Sequence, residues 1–575
     1  MRRYYDRTLM LFALALFALP RTILAQDEKP VAPVGRSYAL TNATIIQAPG
    51  RKIEKGTVVM KDGLITAVGT NISIPADAIT IKGDSLYVYA GFIDGLSRAG
   101  VTKPKEEKQE KPKDPGNPPA ERAGITPQND VRNWLNPNDK SLEELRNLGF
   151  TVSQVVPYGN FLPGSGAIVL LGGKSSDDMV LVNNSALYSE LSGAMGGVYP
   201  GTVMAVMAKW RELYKNASLN KSYAATYASN KNGITRPVSD RILEAFYPVI
   251  DQRMPVLFKS ERVMETQRVF TLKNDLGFKL TIADVKEGWP IINKIKSSDA
   301  RVFLSLDLPD DAKKDDKKDD KKGAKKDSTK TDAKKSDVKK EKTSFDLEKE
   351  SLEKRKKESI GLYTSQASAF NKAGIEFGFS AASAKTKDIQ ANLRRMITAG
   401  LSEDAALAAL TTSPAKLLNL SDRLGTVDKG MMANLVVSDK PYFNEKAKVR
   451  YVFVDGTLYK IEAPKDAKKT DAKPAVARGT WTYTTKTSQG SGGGKIVIKE
   501  DNGTYSGKIT PSAGKDADLK SVIVDGASLS FSYDSNSGGK VDVSVKIEGD
   551  SFDGKVSAGQ DGNYSIKATR DPKSN

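Results

Sequence analysis

Tyr89-Ala90-Gly91-Phe92-Ile93-Asp94-Gly95-Leu96-Ser97-Arg98 is the stretch that decides the fold. A β-rich approach, Ser85 to Tyr89, runs into it, and Gly91 and Gly95 punctuate it. That order reads as a buried strand whose end carries polar side chains, Asp94 and Arg98 among them.

Composition bounds what such a strand can serve. The chain has 575 residues, enough for two to four domains. It contains no cysteine and no histidine. A disulfide framework, a thiolate nucleophile and an imidazole base or metal ligand are therefore excluded. The formal net charge is +18, much of it in lysine-rich tracts. No aromatic-basic reading surface accompanies those lysines, so nucleic acid is not an expected partner.

Residues 1–25 read as a secretory signal peptide. Arg2, Arg3 and Arg7 precede the apolar run Thr8 to Leu19, and Ala25 precedes a plausible cleavage point. No later segment is apolar for the ~20 residues of a transmembrane helix, so the mature chain is expected to be exported, periplasmic or extracellular, without a membrane span. Residues 37–90 form short strands parted by Gly56, Asp62-Gly63, Gly69 and Gly83-Asp84. Thr102 to Pro119 is a Lys, Glu and Pro loop, and residues 309–343 are a Lys/Asp-rich insertion too polar to bury a core.

Between these tracts strand and helix patterns alternate, as in a βα architecture. Ser141, with Glu144 three residues on, predicts a capping box. Phe150 to Val156, Met254 to Phe258, Leu280 to Ala283, Arg301 to Leu306 and Gly374 to Phe379 read as strands. Gly201 to Leu213, Val238 to Phe246, Ser260 to Leu276, Asp346 to Ala373, Ile389 to Ala399 and Glu403 to Thr411 read as helices. Gly164-Ser165-Gly166 lacks a following Lys-Ser/Thr and reads as a turn between strands, not a phosphate loop. Residues 463–477 are a Lys/Ala/Pro linker. Residues 478–575 alternate at period two in seven or eight short segments, an all-antiparallel β domain of sandwich or small-barrel type.

Two segments resemble the amidohydrolase superfamily. Gly91, Phe92, Ile93 and Asp94 keep its first-strand pattern P-G-F-I-D-x-H-x-H, with Leu96 and Arg98 at the histidine positions. Leu410-Thr411-Thr412-Ser413-Pro414-Ala415-Lys416-Leu417-Leu418, Arg423 to Val427, Ala433 to Val437 and Val449 to Leu458 match its closing motifs, with Asn434 where an aspartate is usual. The resemblance implies an α/β fold: a (β/α)8 TIM-like barrel over residues 91–424, flanked by a composite β-sandwich from residues 37–90 and 425–462.

It also implies a metal site, with zinc or a similar divalent ion activating water. The ligand positions do not carry ligands. Leu96 offers no lone pair, and Arg98 is a permanent cation. Lys259 stands at a later histidine position, Ala283-Asp284-Val285 at another, and Ser380-Ala381-Ala382-Ser383 where a final aspartate is expected. No metal and no other cofactor is therefore expected, and no catalytic residue is assigned. Asp94, Leu96, Arg98, Lys259 and Asp284 are the positions of a degenerate site, and Asp94 reads as a structural turn acid. The expectation is a barrel mouth plugged by Arg98 and Lys259 facing Asp94 and Asp284. Functionally, the resemblance implies a silent amidohydrolase-like protein that binds a ligand, self-associates or pairs with an active homologue. The alternatives are a hydrolase of non-peptide carbon–nitrogen bonds with a site rebuilt around Lys259, and a binding role carried by the C-terminal β domain.

Overall fold

In a computed structural model the described residues are 37–104, 112–311, 344–461 and, with short breaks, 476–572. Residues 1–36, with the expected signal peptide, residues 105–111, most of the Lys/Asp-rich insertion and most of the linker after Ile461 lie outside them. The chain divides after Ile461 into two units.

In the first unit, period-two segments near both ends of the unit come together. Strands β1 (Tyr38–Ala48), β2 (Arg51–Lys61), β3 (Leu64–Gly69), β4 (Ile79–Lys82) and β5 (Tyr87–Ala90) precede the barrel. The barrel strands are β6 (Phe92–Ser97), β7 (Phe150–Val155), β8 (Gly164–Leu170), β9 (Val180–Glu190), β10 (Val256–Lys259), β11 (Leu280–Val285), β12 (Arg301–Ser305) and β13 (Phe377–Ser380). Strands β14 (Leu435–Ser438), β15 (Val449–Val454) and β16 (Thr457–Lys460) follow it. They join β5 to complete one sheet in the order β16-β15-β14-β5-β1-β2-β3, with β4 on β1. The expected sandwich is thus a single continuous sheet. β1 makes it so: Tyr38–Thr41 pairs with β4 and Thr44–Ile46 with β5, and register shifts between Leu40 and Ile45 re-aim the strand. The core of this sheet gathers Leu40, Ile45, Val58, Val88, Leu435 and Phe453.

The second sheet is a nearly closed eight-stranded barrel in the order β6 to β13. It is not a (β/α)8 barrel. β8 runs antiparallel to both β7 and β9, while the other neighbouring pairs are parallel. The connections explain this. Residues 156–163 and 171–179 are shorter than the dozen or more that a parallel crossover needs, so the chain can only turn back on itself. Gly164-Ser165-Gly166 is part of β8, not a turn. A Cβ at Gly164 would lie 2.5 Å from the Asn129 carbonyl oxygen, and one at Gly166 2.8 Å from that of Val155. These glycines permit close backbone approach.

Elsewhere helices cover the strands. Val203–Ser229 is capped by Thr202 and anchored by Trp210, whose indole N–H donates to Ser189 Oγ at 2.9 Å. Val263–Leu276 ends at Gly277 in the left-handed region, φ 77°. The expected helix at Val238 to Phe246 is only a turn, Arg241–Glu244. The helix Lys140–Asn147 starts at Asp139, whose carboxylate accepts from Ser141 N, so Ser141 is not the cap. The longer helices expected at 346–373, 389–399 and 403–411 correspond to Ser344–Lys372, Ile389–Thr398 and Glu403–Leu410.

The barrel centre is filled by Leu96, Ala186, Tyr188, Leu257, Ala283 and Phe303, all buried. Phe303 lies against two glycines: a Cβ on Gly95 would come within 1.9 Å of its ring and one on Gly378 within 2.7 Å. The seam between β13 and β6 is bridged by side chains. Ser380 Oγ donates to Leu96 O at 3.1 Å, and Ala381 N donates to Asp94 Oδ1 at 2.8 Å.

The second unit is one antiparallel sheet of nine strands among the described residues, from Gly479–Thr487 to Asn563–Arg570. Trp481, Ile496, Phe531, Val543, Phe552 and Ile566 form its core. Among the described residues no helix is long and apolar enough to cross a membrane.

Candidate functional site

The C-terminal ends of parallel barrel strands converge on one face, where barrel enzymes place their chemistry. β6, β10, β11 and β12 bring six charged side chains to that face, and β9 brings Glu190.

Asp94 does not face solvent. It is fully buried and accepts from Ala381 N and Ser153 Oγ, both at 2.8 Å, and from Leu96 N at 3.2 Å. Burial pushes its carboxyl up to about 7, against these hydrogen bonds. Ser153 Oγ in turn lies 2.7 Å from Ser97 Oγ. Asp94 therefore joins the first, second and last barrel strands and, among the described residues, pairs with no cation. Leu96, next along β6, is part of the apolar barrel centre.

Arg98 turns toward β9. Its guanidinium meets Glu190 Oε1 at 3.0 Å and lies 5.0 Å from the centre of the Tyr158 ring. Tyr188 donates its hydroxyl to the same Glu190 oxygen at 2.5 Å. This corrects the expected plug, in which Arg98 would face Asp94.

Lys259, at the end of β10, lies 2.8 Å from Glu261 Oε1 and 3.8 Å from Asp284 Oδ2. Burial pulls its pKa down, but the Glu261 hydrogen bond and the Asp284 and Glu190 charges outweigh this and raise it. Asp284 is fully buried and sits in the left-handed region, φ 60°. Burial raises its carboxyl above the ordinary value, against the hydroxyls of Ser305 and Ser383 and the Lys259 charge. Ser383 donates to Asp284 Oδ2 and lies 3.0 Å from Glu261 Oε1. Lys286 completes the chain of charges, 2.7 Å from Asp307 Oδ2 and 3.7 Å from Glu261 Oε2.

The sequence-derived positions thus separate into three groups. Lys259 and Asp284 meet, Arg98 belongs to a neighbouring pair, and Asp94 and Leu96 are structural. Glu190, Glu261, Lys286, Asp307, Tyr158 and Tyr188 were not among them. Glu261 and Lys286 follow two strands that periodicity does locate, so a search just beyond each strand end would reach them. Glu190 has no such signal, because the half-exposed start of β9 hides the strand.

This donor set does not fit a catalytic metal. The carboxylates Glu190, Glu261, Asp284 and Asp307 each lie within ion-pairing distance of a cation. Lys259 is held charged, Arg98 cannot give up its proton, and Leu96 has no donor atom. Among the described residues no three His, Cys, Asp or Glu side chains are grouped as a metal ion would require. What the arrangement can do is fix the ends of β9 to β12 electrostatically and present a charged surface.

Residues 320–459 match the family model described as "Amidohydrolase family". Among solved structures, an amidohydrolase from Thermotoga maritima MSB8 is similar at 19% identity and TM-score 0.56, over 74% of this chain and 100% of that one. A prolidase complexed with N-methylphosphonate-L-proline is similar at 15% identity and TM-score 0.40, over 74% and 100%. An adenosine deaminase from Xanthomonas campestris with bound zinc is similar at 12% identity and TM-score 0.40, over 74% and 93%. No curated protein matches the chain.

Proposed function

We propose that the chain is an exported, catalytically silent amidohydrolase-like protein that acts by binding, a reading supported by the family match over residues 320–459. Its role is to hold a ligand or to pair with an active homologue. The observation that carries this reading is Lys259, whose charged amine sits between Glu261 and Asp284 at a position where the family places a metal-binding histidine. The absence of histidine from the whole sequence supports it. Export rests on the residue 1–25 pattern, which lies outside the described residues.

A hydrolase rebuilt around Lys259 as general base is disfavoured by the same contact. A base must shed its proton near the working pH, and the neighbouring carboxylates oppose that. The test is a turnover assay of the purified mature chain on dipeptides, cyclic amides and other non-peptide amides, with and without added zinc. The expected result is no turnover in either condition. Zinc-dependent turnover, abolished by a chelator, would overturn the reading.

A further inference from the structure

The long helix Ser344–Lys372 serves the barrel with only part of its length. Its C-terminal part buries Ala367, Ser368 and Phe370. Residues 347–359 are exposed without exception, about three and a half turns that the rest of the described chain leaves uncovered. A helical stretch of that length is marginal in water when nothing covers it. Where it leaves the body, the long helix and its neighbour Ile389–Thr398 enclose a groove of about 1100 Å³.

The groove side of the long helix is a stripe at helical spacing: Glu350, Glu353 with Lys354, Lys357, then Ile360 with Gly361. Leu347, one step nearer the N-terminus on the same stripe, is 54% exposed. Gly361 stands out among them. Glycine weakens a helix interior, and a Cβ there would meet nothing within 4 Å, so no contact inside the chain requires it. What a bare backbone permits at that point is close approach from outside. The charges of the stripe are open to outside partners as well. Glu353 and Lys354 meet Lys349 and Glu358 of the same helix only at 4.0 Å, where exposed pairs are weak. On the opposite wall Arg395 is held by Asp311 at 2.6 Å, and Arg394 adds a further positive charge.

We propose that the groove and the exposed stretch form one interface, a two-fold dimer in which the long helices of two copies of this chain lie antiparallel. Run in opposite directions, the stripe is self-complementary. Leu347 meets Ile360 beside the Gly361 notch, Glu350 meets Lys357, and Glu353 meets Lys354, each pair made twice by the two-fold axis. The occupant is a second copy because the protruding apolar residue and the notch that receives it sit on the same helix. The inference does not rest on the reading of the charged face.

Sedimentation equilibrium of the full mature chain tests this. A reversible dimer with a dissociation constant of about 10 µM or tighter is expected. Gly361→Met fills the notch with a good helix former, and Lys357→Glu reverses a paired charge; each is expected to weaken the dimer by at least about tenfold, with the far-ultraviolet circular dichroism unchanged. Glu350→Lys added to Lys357→Glu should restore pairing. The two positions lie two turns apart on one helix and do not touch, so the rescue can come only from the other copy. The chain has no cysteine, which gives a second readout. Leu347→Cys and Ile360→Cys in one chain stand about 20 Å apart along the helix, beyond disulfide reach, and oxidation should join two chains. A monomer at concentrations up to about 200 µM overturns the proposal, as when another part of the chain fills the groove. So does a dimer that Gly361→Met leaves intact, a charge swap that does not restore pairing, or oxidation that leaves the double-cysteine chain monomeric.

Discussion

Asp94→Asn is expected to flatten the pH dependence of folding stability. The carboxyl titrates near 7 in the folded chain against an ordinary value of 3.8, so between those values the folded state holds a proton that the unfolded state has released. Its contribution is therefore fully present at low pH and is lost as pH rises through about 7, on the order of 4 kcal/mol over the window. Asparagine reproduces the neutral form. Its oxygen still accepts from Ala381 N and Leu96 N, its amide donates to Ser153 Oγ, and Ser153 turns its proton to Ser97 Oγ. Denaturant unfolding at about pH 5 and about pH 8 measures the difference. The wild-type chain should lose about 3 kcal/mol between the two, and the variant should lose little of it. Parallel losses in both would show that Asp94 is not the titrating group.

Lys259→Met is expected to cost about 3 kcal/mol of stability at neutral pH. Methionine keeps the length of the side chain, so packing changes little. The loss comes from Asp284, a fully buried carboxylate left without its cation, and from Glu261 beside it. Asp284→Asn placed in the same chain should recover most of the loss, because the stranded charge is then gone. A cost below about 0.5 kcal/mol would place Lys259 with ordinary surface ion pairs, and the account of the charged face would fail.

Much of this architecture is legible from residue patterns, and the failures have physical causes. Gly91-Phe92-Ile93-Asp94 announces a buried strand because glycine and apolar residues there serve backbone approach and burial, which are local properties. The closing motifs announce the strands that return to β5 for the same reason. The antiparallel β8 escapes notice because its glycines look like a turn; only the short connections on either side reveal it. The plug is half legible. Lys259 and Asp284 lie at the ends of adjacent strands, paired in register through Lys259 and Ala283, so their meeting follows from strand order. Arg98 reaches Glu190 across the barrel, and no spacing in the sequence encodes that distance. Asp94 and Arg98 stand four residues apart, at positions that strict alternation would put on one face, which suggests a pair; but the pairing of β6 with β7 shifts register between Asp94 and Ser97, β6 ends at Ser97, and Arg98 meets Glu190 instead.

The central claim is that the charged face has exchanged metal ligands for ion pairs. Metal content of the mature chain, purified without chelator and dialysed against zinc, tests it most directly. The account predicts far less than one bound ion per chain, unchanged in Lys259→Met. One tightly held zinc per chain, displaced when Asp284 is replaced by Asn, would contradict it.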